Sequence, residues 1–305
     1  MSSYEFISDC NNTIFNFLKY NCGVSSRLLR KFKNEGKISI NKAPASINSF
    51  VNPNDHIAIQ IDESLGDTIP ENIPIDIVFE DESILVINKP PNMILHPVCS
   101  HRAGTLANAV AFHFARNKIN TPIRPVIRLD KDTSGIVIFA KNAYIQETII
   151  KQMKSGKVEK IYMAFVEGTP EPAAGRISAP ISRLPGSIIT RQVSHDGEYA
   201  ATNYKVITEF DGYSLLEIRP ETGRTHQIRV HMQYIGHPIL GDTLYGLESK
   251  LIGRQALHAF RYKFIHPIEK NEVNLTAPLP NDFNSLIKKT FINEIQIPNP
   301  VDKPI

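Results

Sequence analysis

The feature that most constrains the fold is a series of short apolar runs of strand length scattered over residues 75–277. Ile75–Phe79 and Ile84–Asn88 flank the acidic turn Glu80-Asp81-Glu82-Ser83, and Ile136–Ala140, Ile161–Glu167, Tyr204–Ile207, Leu215–Arg219 and Asn274–Ala277 follow. Runs of about four to eight such residues between turn signals read as strands. Helix periodicity is confined in this region to Thr105–Asn117, with Leu106, Val110 and Phe114 on one face, and to Ala143–Lys154, with Ile145, Ile149 and Met153. Strands outnumber helices and do not alternate with them. The pattern predicts an α+β sheet domain over 75–292 and argues against a doubly wound parallel sheet.

Residues 1–62 form a separate pattern. Phe15 and Leu18, then Leu28, Leu29 and Phe32, fall at helical spacing, Ser25-Ser26 is a ready N-cap, and Gly36 ends the second helix. Lys37–Asn41 and His56–Asp62 alternate polar and apolar residues as half-buried strands do, with a turn at Asn54-Asp55. Two short helices and a hairpin make a small α+β module. Residues 63–74 (ESLGDTIPENIP) read as a linker. On this division, removal of residues 1–65 should leave the remainder folded. Residues 293–305 carry three prolines and read as a draped tail.

The net charge of +3 is small, but it is unevenly spread. Lys19–Lys42 holds seven basic residues and one acid, whereas Asp62–Glu82 holds eight acids and no base. A basic first segment fits a polyanion contact, or equally a solvated helical face. With 42% hydrophobic and 21% charged residues, the chain can bury a core. No apolar run approaches the roughly 20 residues of a membrane span. The acidic N-terminus lacks the pattern of a secretory signal, and three scattered cysteines make no disulfide framework. A cytoplasmic chain with reduced thiols is expected.

Three polar segments adjoin strands. Arg128–Gly135 (RLDKDTSG) leads into IVIFAK, although an Asp/Ser/Thr/Gly turn is also ordinary punctuation. Arg219–His231 holds three arginines and two histidines, and arginine forks suit an anion. Ile228 and Val230 should hold this segment against the core. Asn88–Pro97 is a loop stiffened by Pro90-Pro91. Dinucleotide, P-loop and nucleophile-elbow motifs are missing, so no nucleotide cofactor is expected. His96, Cys99 and His101 are close in sequence but do not make a metal site by spacing, and no metal is expected.

Taken together, the run RLDKDTSGIVIFAK (Arg128–Lys141) closely resembles the signature of the pseudouridine synthases of the RluA type. KPPNMILHP (Lys89–Pro97), Lys160-Ile161-Tyr162-Met163-Ala164, GRTHQIRVH (Gly223–His231), Gly236-His237-Pro238, Gly241-Asp242, Tyr245-Gly246, Leu257-His258-Ala259 and His266-Pro267 match further family blocks in the family's order. The first sixty residues are similar to an S4-type RNA-binding module in Ser25-Ser26-Arg27 and Gly36–Asn41, but lack its Arg-Asp pair in the first helix. Two other departures stand out. Ile127 occupies the place of the usual His, and Asn92 that of a Gly, although Asn tolerates positive φ.

The resemblance implies a fold of mixed, largely antiparallel sheet flanked by helices and loops, behind the S4-like module. It implies isomerisation of uridine in structured RNA, with ribosomal RNA ahead of transfer RNA, by a monomer that needs no cofactor. By the motifs, Asp130 is the essential carboxylate, Arg224 its charge partner, Tyr162 the residue that stacks on the uracil or moves a proton, and Ile228 the wall beneath the base. Arg128 would fill the gap left by the flipped base or grip the backbone. Lys89, His96, Arg229, and in the module Arg27 and Lys31, complete the expected RNA contacts. An inactive RNA-binding protein that keeps the fold, a glycosidic hydrolase and a ribosome-bound structural factor remain as alternatives.

Overall fold

The computed structural model describes residues 2–61, 65–98 and 101–288. Asp62 at the end of the expected module, residues 63 and 64 of the expected linker, Cys99, Ser100, residues 289–292 and the tail 293–305 lie outside the described residues.

The first module contains β1 (Ser2–Ile7), β2 (Asn12–Thr13), a helical turn α1 (Ile14–Asn16), α2 (Ser26–Glu35), β3 (Lys37–Ile40), β4 (Ala43–Ala45), β5 (Phe50–Val51) and β6 (His56–Ile61). Its sheet runs β1-β6-β3-β4, with β3 and β6 antiparallel. The Ser25 hydroxyl caps α2 by accepting the Leu28 N–H at 3.2 Å, and Leu28, Leu29 and Phe32 are buried. Strand β1, which its polar composition hides in the sequence, closes the sheet against β6.

The second part contains β7 (Ile77–Glu80), β8 (Ile84–Lys89), α3 (Leu106–Arg116), β9 (Ser134–Ala140), α4 (Ala143–Lys154), β10 (Glu159–Glu167), β11 (Ala174–Ser178), β12 (Ile181–Arg183), β13 (Arg191–Val193), β14 (Ala201–Phe210), β15 (Tyr213–Pro220), α5 (Gln227–Tyr234), β16 (Leu257–Ile265), β17 (Glu272–Thr276) and α6 (Asn281–Lys288). One sheet runs β11-β14-β15-β10-β16-β9-β8-β7, with β17 also on β16. Its neighbouring strands among the described residues pair antiparallel except β9 with β16, which run parallel through Ser134–His258 and Gly135–Ala259. This is the α+β architecture expected, with a single parallel seam.

That seam dictates local sequence. Gly135 has φ +108°, and a Cβ there would lie 2.2 Å from the Ala259 carbonyl oxygen, so only glycine lets β9 approach β16. Beyond Ala259, β16 changes neighbour and pairs with β17 from Arg261 to Ile265. Across its other edge, the register with β10 shifts between Ile161 and Tyr162, which leaves Phe260 unpaired opposite the two strands' regular ladder. Such a bulge re-aims side chains, and this one lies at Tyr162. In the Lys89–Pro97 loop, Asn92 has φ +60°, so it accepts the backbone that glycine would take.

The two parts share one continuous apolar cluster. The Phe6 ring meets that of Tyr144 on α4 edge-on at 5.1 Å. The Tyr144 hydroxyl donates to the Cys22 carbonyl at 3.1 Å, and Asn142 Nδ2 donates to the Ser3 carbonyl at 3.3 Å. The connecting segment is held too. Glu71 N–H donates to the Asn108 carbonyl at 3.0 Å, and the Glu71 carboxylate accepts the Gly104 N–H at 3.0 Å. An acid there complements the N-terminus of α3. No helix among the described residues is long and apolar enough to cross a membrane.

Candidate active site

A cleft of about 670 Å³ opens where the loops before β9 and after β15 face each other across β10 and β16. Asp130 enters it from the loop before β9, which turns tightly as the Thr133 N–H donates to the Asp130 carbonyl at 3.2 Å. Arg229 comes from α5 and is nearly buried. Its Nη1 donates to Asp130 Oδ2 at 2.9 Å. Its Nε and Nη2 donate to the two oxygens of Asp242 at 2.6 and 2.7 Å. One planar guanidinium thus bridges two carboxylates, with the fork on the buried Asp242 and one edge left for Asp130. The Tyr245 ring lies beneath it at 5.0 Å. Burial works against the charge of Arg229, but bonds and attraction from Asp242 and Asp130 hold its pKa above the ordinary value.

His226 precedes α5 in the left-handed region, at φ +57°. Its Nε2 lies 3.7 Å from Asp130 Oδ2, and its Nδ1 lies 2.9 Å from the Tyr245 hydroxyl. Burial lowers its pKa, Asp130 opposing this by attraction and the cations Arg229 and Arg191 adding to it. Both neighbours of Asp130 engage Oδ2, and Oδ1 has no partner among the described residues.

Tyr162, Ile228, Leu129, Ile127, Leu257 and Tyr262 form an apolar floor. Ile228 and Ile127 are each 7% exposed. Ile127 therefore contributes to the wall an apolar surface rather than the polar contact its usual counterpart would supply. Burial pushes the Tyr162 phenol up to about 12, so it keeps its proton. Lys160 lines the cleft as well, its ammonium donating to the Thr222 carbonyl at 3.2 Å and lowered to about 8 by burial. His96, Arg128, Arg191 and Arg224 stand around the cleft. An apolar slot big enough for a planar ring, one half-shielded carboxylate and a basic surround suit a reaction at the sugar–base bond of a polyanion.

The family model for RNA pseudouridylate synthase matches residues 83–234, the stretch carrying Asp130, Tyr162, His226 and Arg229. An uncharacterized RNA pseudouridine synthase of Bacillus subtilis, YjbO, is 40% identical over 269 residues, covering 87% of this chain and 95% of its own. The chain belongs to the RNA pseudouridine synthase family. The ribosomal large subunit pseudouridine synthase D of Zymomonas mobilis is 41% identical over 242 residues, covering 73% of this chain and 75% of its own. Among solved structures, human RNA pseudouridylate synthase domain containing 4 shares the fold, with TM-score 0.57 and 24% identity over 70% of this chain and 92% of that one.

In the synthase, Asp130, Tyr162, Ile228, Arg229, Arg128, His96 and Arg224 all reach the cleft. Three expected roles need correction, and one of them is that of Arg229, which is buried between Asp130 and Asp242 and is not an RNA contact. Arg224 is not the charge partner of Asp130. It precedes α5 on a loop, where its Nη1 pairs with Glu198 and its Nε donates to the Tyr199 carbonyl at 3.0 Å. Arg229 holds the carboxylate instead, because the first turn of α5 faces the sheet. Lys89 is not an RNA contact. It is fully buried, and its ammonium donates to the carbonyls of Pro90, Met93 and Lys131 at 2.8–2.9 Å. It fastens the proline loop to the loop carrying Asp130. Burial lowers its pKa to about 7, while three carbonyls match its three N–H donors. Arg27 and Lys31 sit on α2 and do not line the cleft.

Sequence reasoning gave no role to His226, Asp242, Tyr245 or Tyr262. The first three lie inside blocks that the family resemblance picks out, which was the available signal. Tyr262 carried none.

Proposed function

We propose that this synthase isomerises uridine in structured RNA, ribosomal RNA ahead of transfer RNA, with Asp130 as its catalytic carboxylate. The observation that carries the reading is the Asp130–Arg229–Asp242 bridge beside an apolar floor. It supports a carboxylate oriented through Oδ2, with Oδ1 available at the reacting sugar. Isomerisation breaks the N1–C1′ bond, forms C5–C1′, removes the C5 proton and returns one proton to N1. No electrons are exchanged, and the side chains present suffice for the proton movements.

The target base leaves the stack to react. Ile228 and Tyr162 are suited to hold its two faces, and the Tyr162 hydroxyl to exchange a proton with the detached ring. Arg128 at the cleft is suited to the vacated space or the backbone, with His96 and Arg224 beside it. The S4-like module would add phosphate contacts from α2 through Arg27 and Lys31, with salt-dependent, mostly sequence-independent affinity. The ribosomal preference draws on the relative named for the large ribosomal subunit.

The test is tritium release from large-subunit ribosomal RNA and transfer RNA transcribed with uridine labelled at C5. Wild-type protein should release tritium from the ribosomal transcript and Asp130→Asn should release none. Undiminished release by Asp130→Asn would remove Asp130 from the chemistry. Free uracil without release would make the reaction hydrolysis.

A further inference from the structure

Tyr262 lies on β16, 1% exposed, at the floor of the cleft. Its hydroxyl is 2.7 Å from that of Tyr162, and the two rings meet edge-on with centroids 6.3 Å apart. The bulge of β16 against β10 brings this about. Lys160 pairs with Tyr262 and Ile161 with Arg261, but Tyr162 pairs with Ala259, skipping Phe260. Among the described residues, the Tyr262 hydroxyl has no other hydrogen-bond partner.

The two hydroxyls are not equivalent. Tyr162 is half-buried and lines the cleft. Tyr262 is sealed in. A buried hydroxyl must spend its proton on a partner or leave it unsatisfied. Burial raises the pKa of both phenols, so each keeps its proton at working pH. The arrangement that satisfies both has Tyr262 donating and Tyr162 accepting.

We propose that Tyr262 is a positioning residue: its hydroxyl donates to Tyr162 Oη, fixes that ring at the bulge and leaves the Tyr162 proton aimed at the uracil. The inference rests on the proposed role of Tyr162. Tyr262 acts through that residue and makes no contact with the reacting atoms. A phenylalanine would fill the same space on the cleft floor, so packing alone makes no use of the hydroxyl.

The experiment is a double-mutant cycle with Tyr162→Phe, Tyr262→Phe and the pair, read by single-turnover tritium release with enzyme in excess over the ribosomal transcript. Tyr262→Phe should release tritium about tenfold more slowly, as loss of one hydrogen bond expressed in the transition state predicts. Its KM under multiple turnover should stay within about twofold of wild type. On the Tyr162→Phe background the second substitution should cost nothing more. A wild-type rate for Tyr262→Phe, a loss confined to KM, or the same loss on both backgrounds would each overturn the proposal. Absence of release by wild-type protein from either RNA would overturn the functional reading and this inference with it. Active wild-type protein indifferent to the Tyr262 hydroxyl would overturn the inference alone.

Discussion

Arg224 and Arg229 occupy one short block, and only the fold separates their work. In sequence both are arginines beside a strand, and spacing does not say which faces a carboxylate. The onset of α5 at Gln227 decides it, because the helix turns Arg229 toward Asp242 and leaves Arg224 on the preceding loop with Glu198. The place of Asp130 and Tyr162 in the cleft was legible because their motif neighbours are distinctive. Lys89 was legible as important but not as buried, since a lysine in a proline loop reads as exposed. These differences predict opposite behaviour for the two arginines. Arg229→Lys keeps the charge but loses the fork on Asp242, which should lower unfolding free energy by about 3 kcal/mol and abolish tritium release. Arg224→Ala breaks an exposed pair, so its urea midpoint should match wild type and its loss should appear as weaker RNA binding. Urea melts and filter binding on both variants measure this. Turnover in Arg229→Lys at the wild-type rate would show that the Asp130 bridge is not needed.

Among the elements, legibility followed burial pattern. Strand β9 is buried at all seven positions and β8 at five of six, so both read as plain apolar runs. Helices α3 and α4 bury one face each and showed their period. Strand β16, with His258, Arg261 and Lys263 among its apolar residues, concealed its central place, and α5 and α6 are only eight residues long. Yet β16 carries the parallel seam, where His258 is fully buried with Nδ1 2.9 Å from the Ser134 hydroxyl and Nε2 3.5 Å from the Ala277 carbonyl. Burial lowers its pKa from 6.5 to about 4. Below pH 6.5 the unfolded chain takes up a proton that the folded chain refuses. The stability contributed by the neutral ring is therefore complete above 6.5 and lost as pH falls toward 4, about 3 kcal/mol in all. Unfolding free energy from urea melts should fall across that window in wild type and fall less steeply, by about one proton, in His258→Gln. Equal slopes would assign the acid lability to other groups.

For the molecule as a whole, composition suggested a detachable basic module on an acidic linker, and the packing argues otherwise. Phe6 and Tyr144 are far apart in sequence, and no local pattern says that they touch. A reading by segments assigns each to its own core and sees only the charged stretch between. In the structure β1 lies against α4 through that ring pair and the Ser3 carbonyl, the Cys22 carbonyl adds a second contact from the same module, and Glu71 ties the connector to α3. Tyr144 is 3% exposed and Phe6 8%, so cutting the module away uncovers apolar surface on both parts. Deleting residues 1–61 should therefore do more than weaken RNA binding: the remaining chain should melt several degrees lower and bind a hydrophobic dye. Phe6→Ala isolates the contact from the loss of basic residues. It should cost about 3 kcal/mol while leaving the salt dependence of RNA binding unchanged. If instead the deleted chain melts like the full one and only affinity falls, the module is a tethered RNA clamp. The interface with α4 would then contribute nothing to the stability of the catalytic sheet.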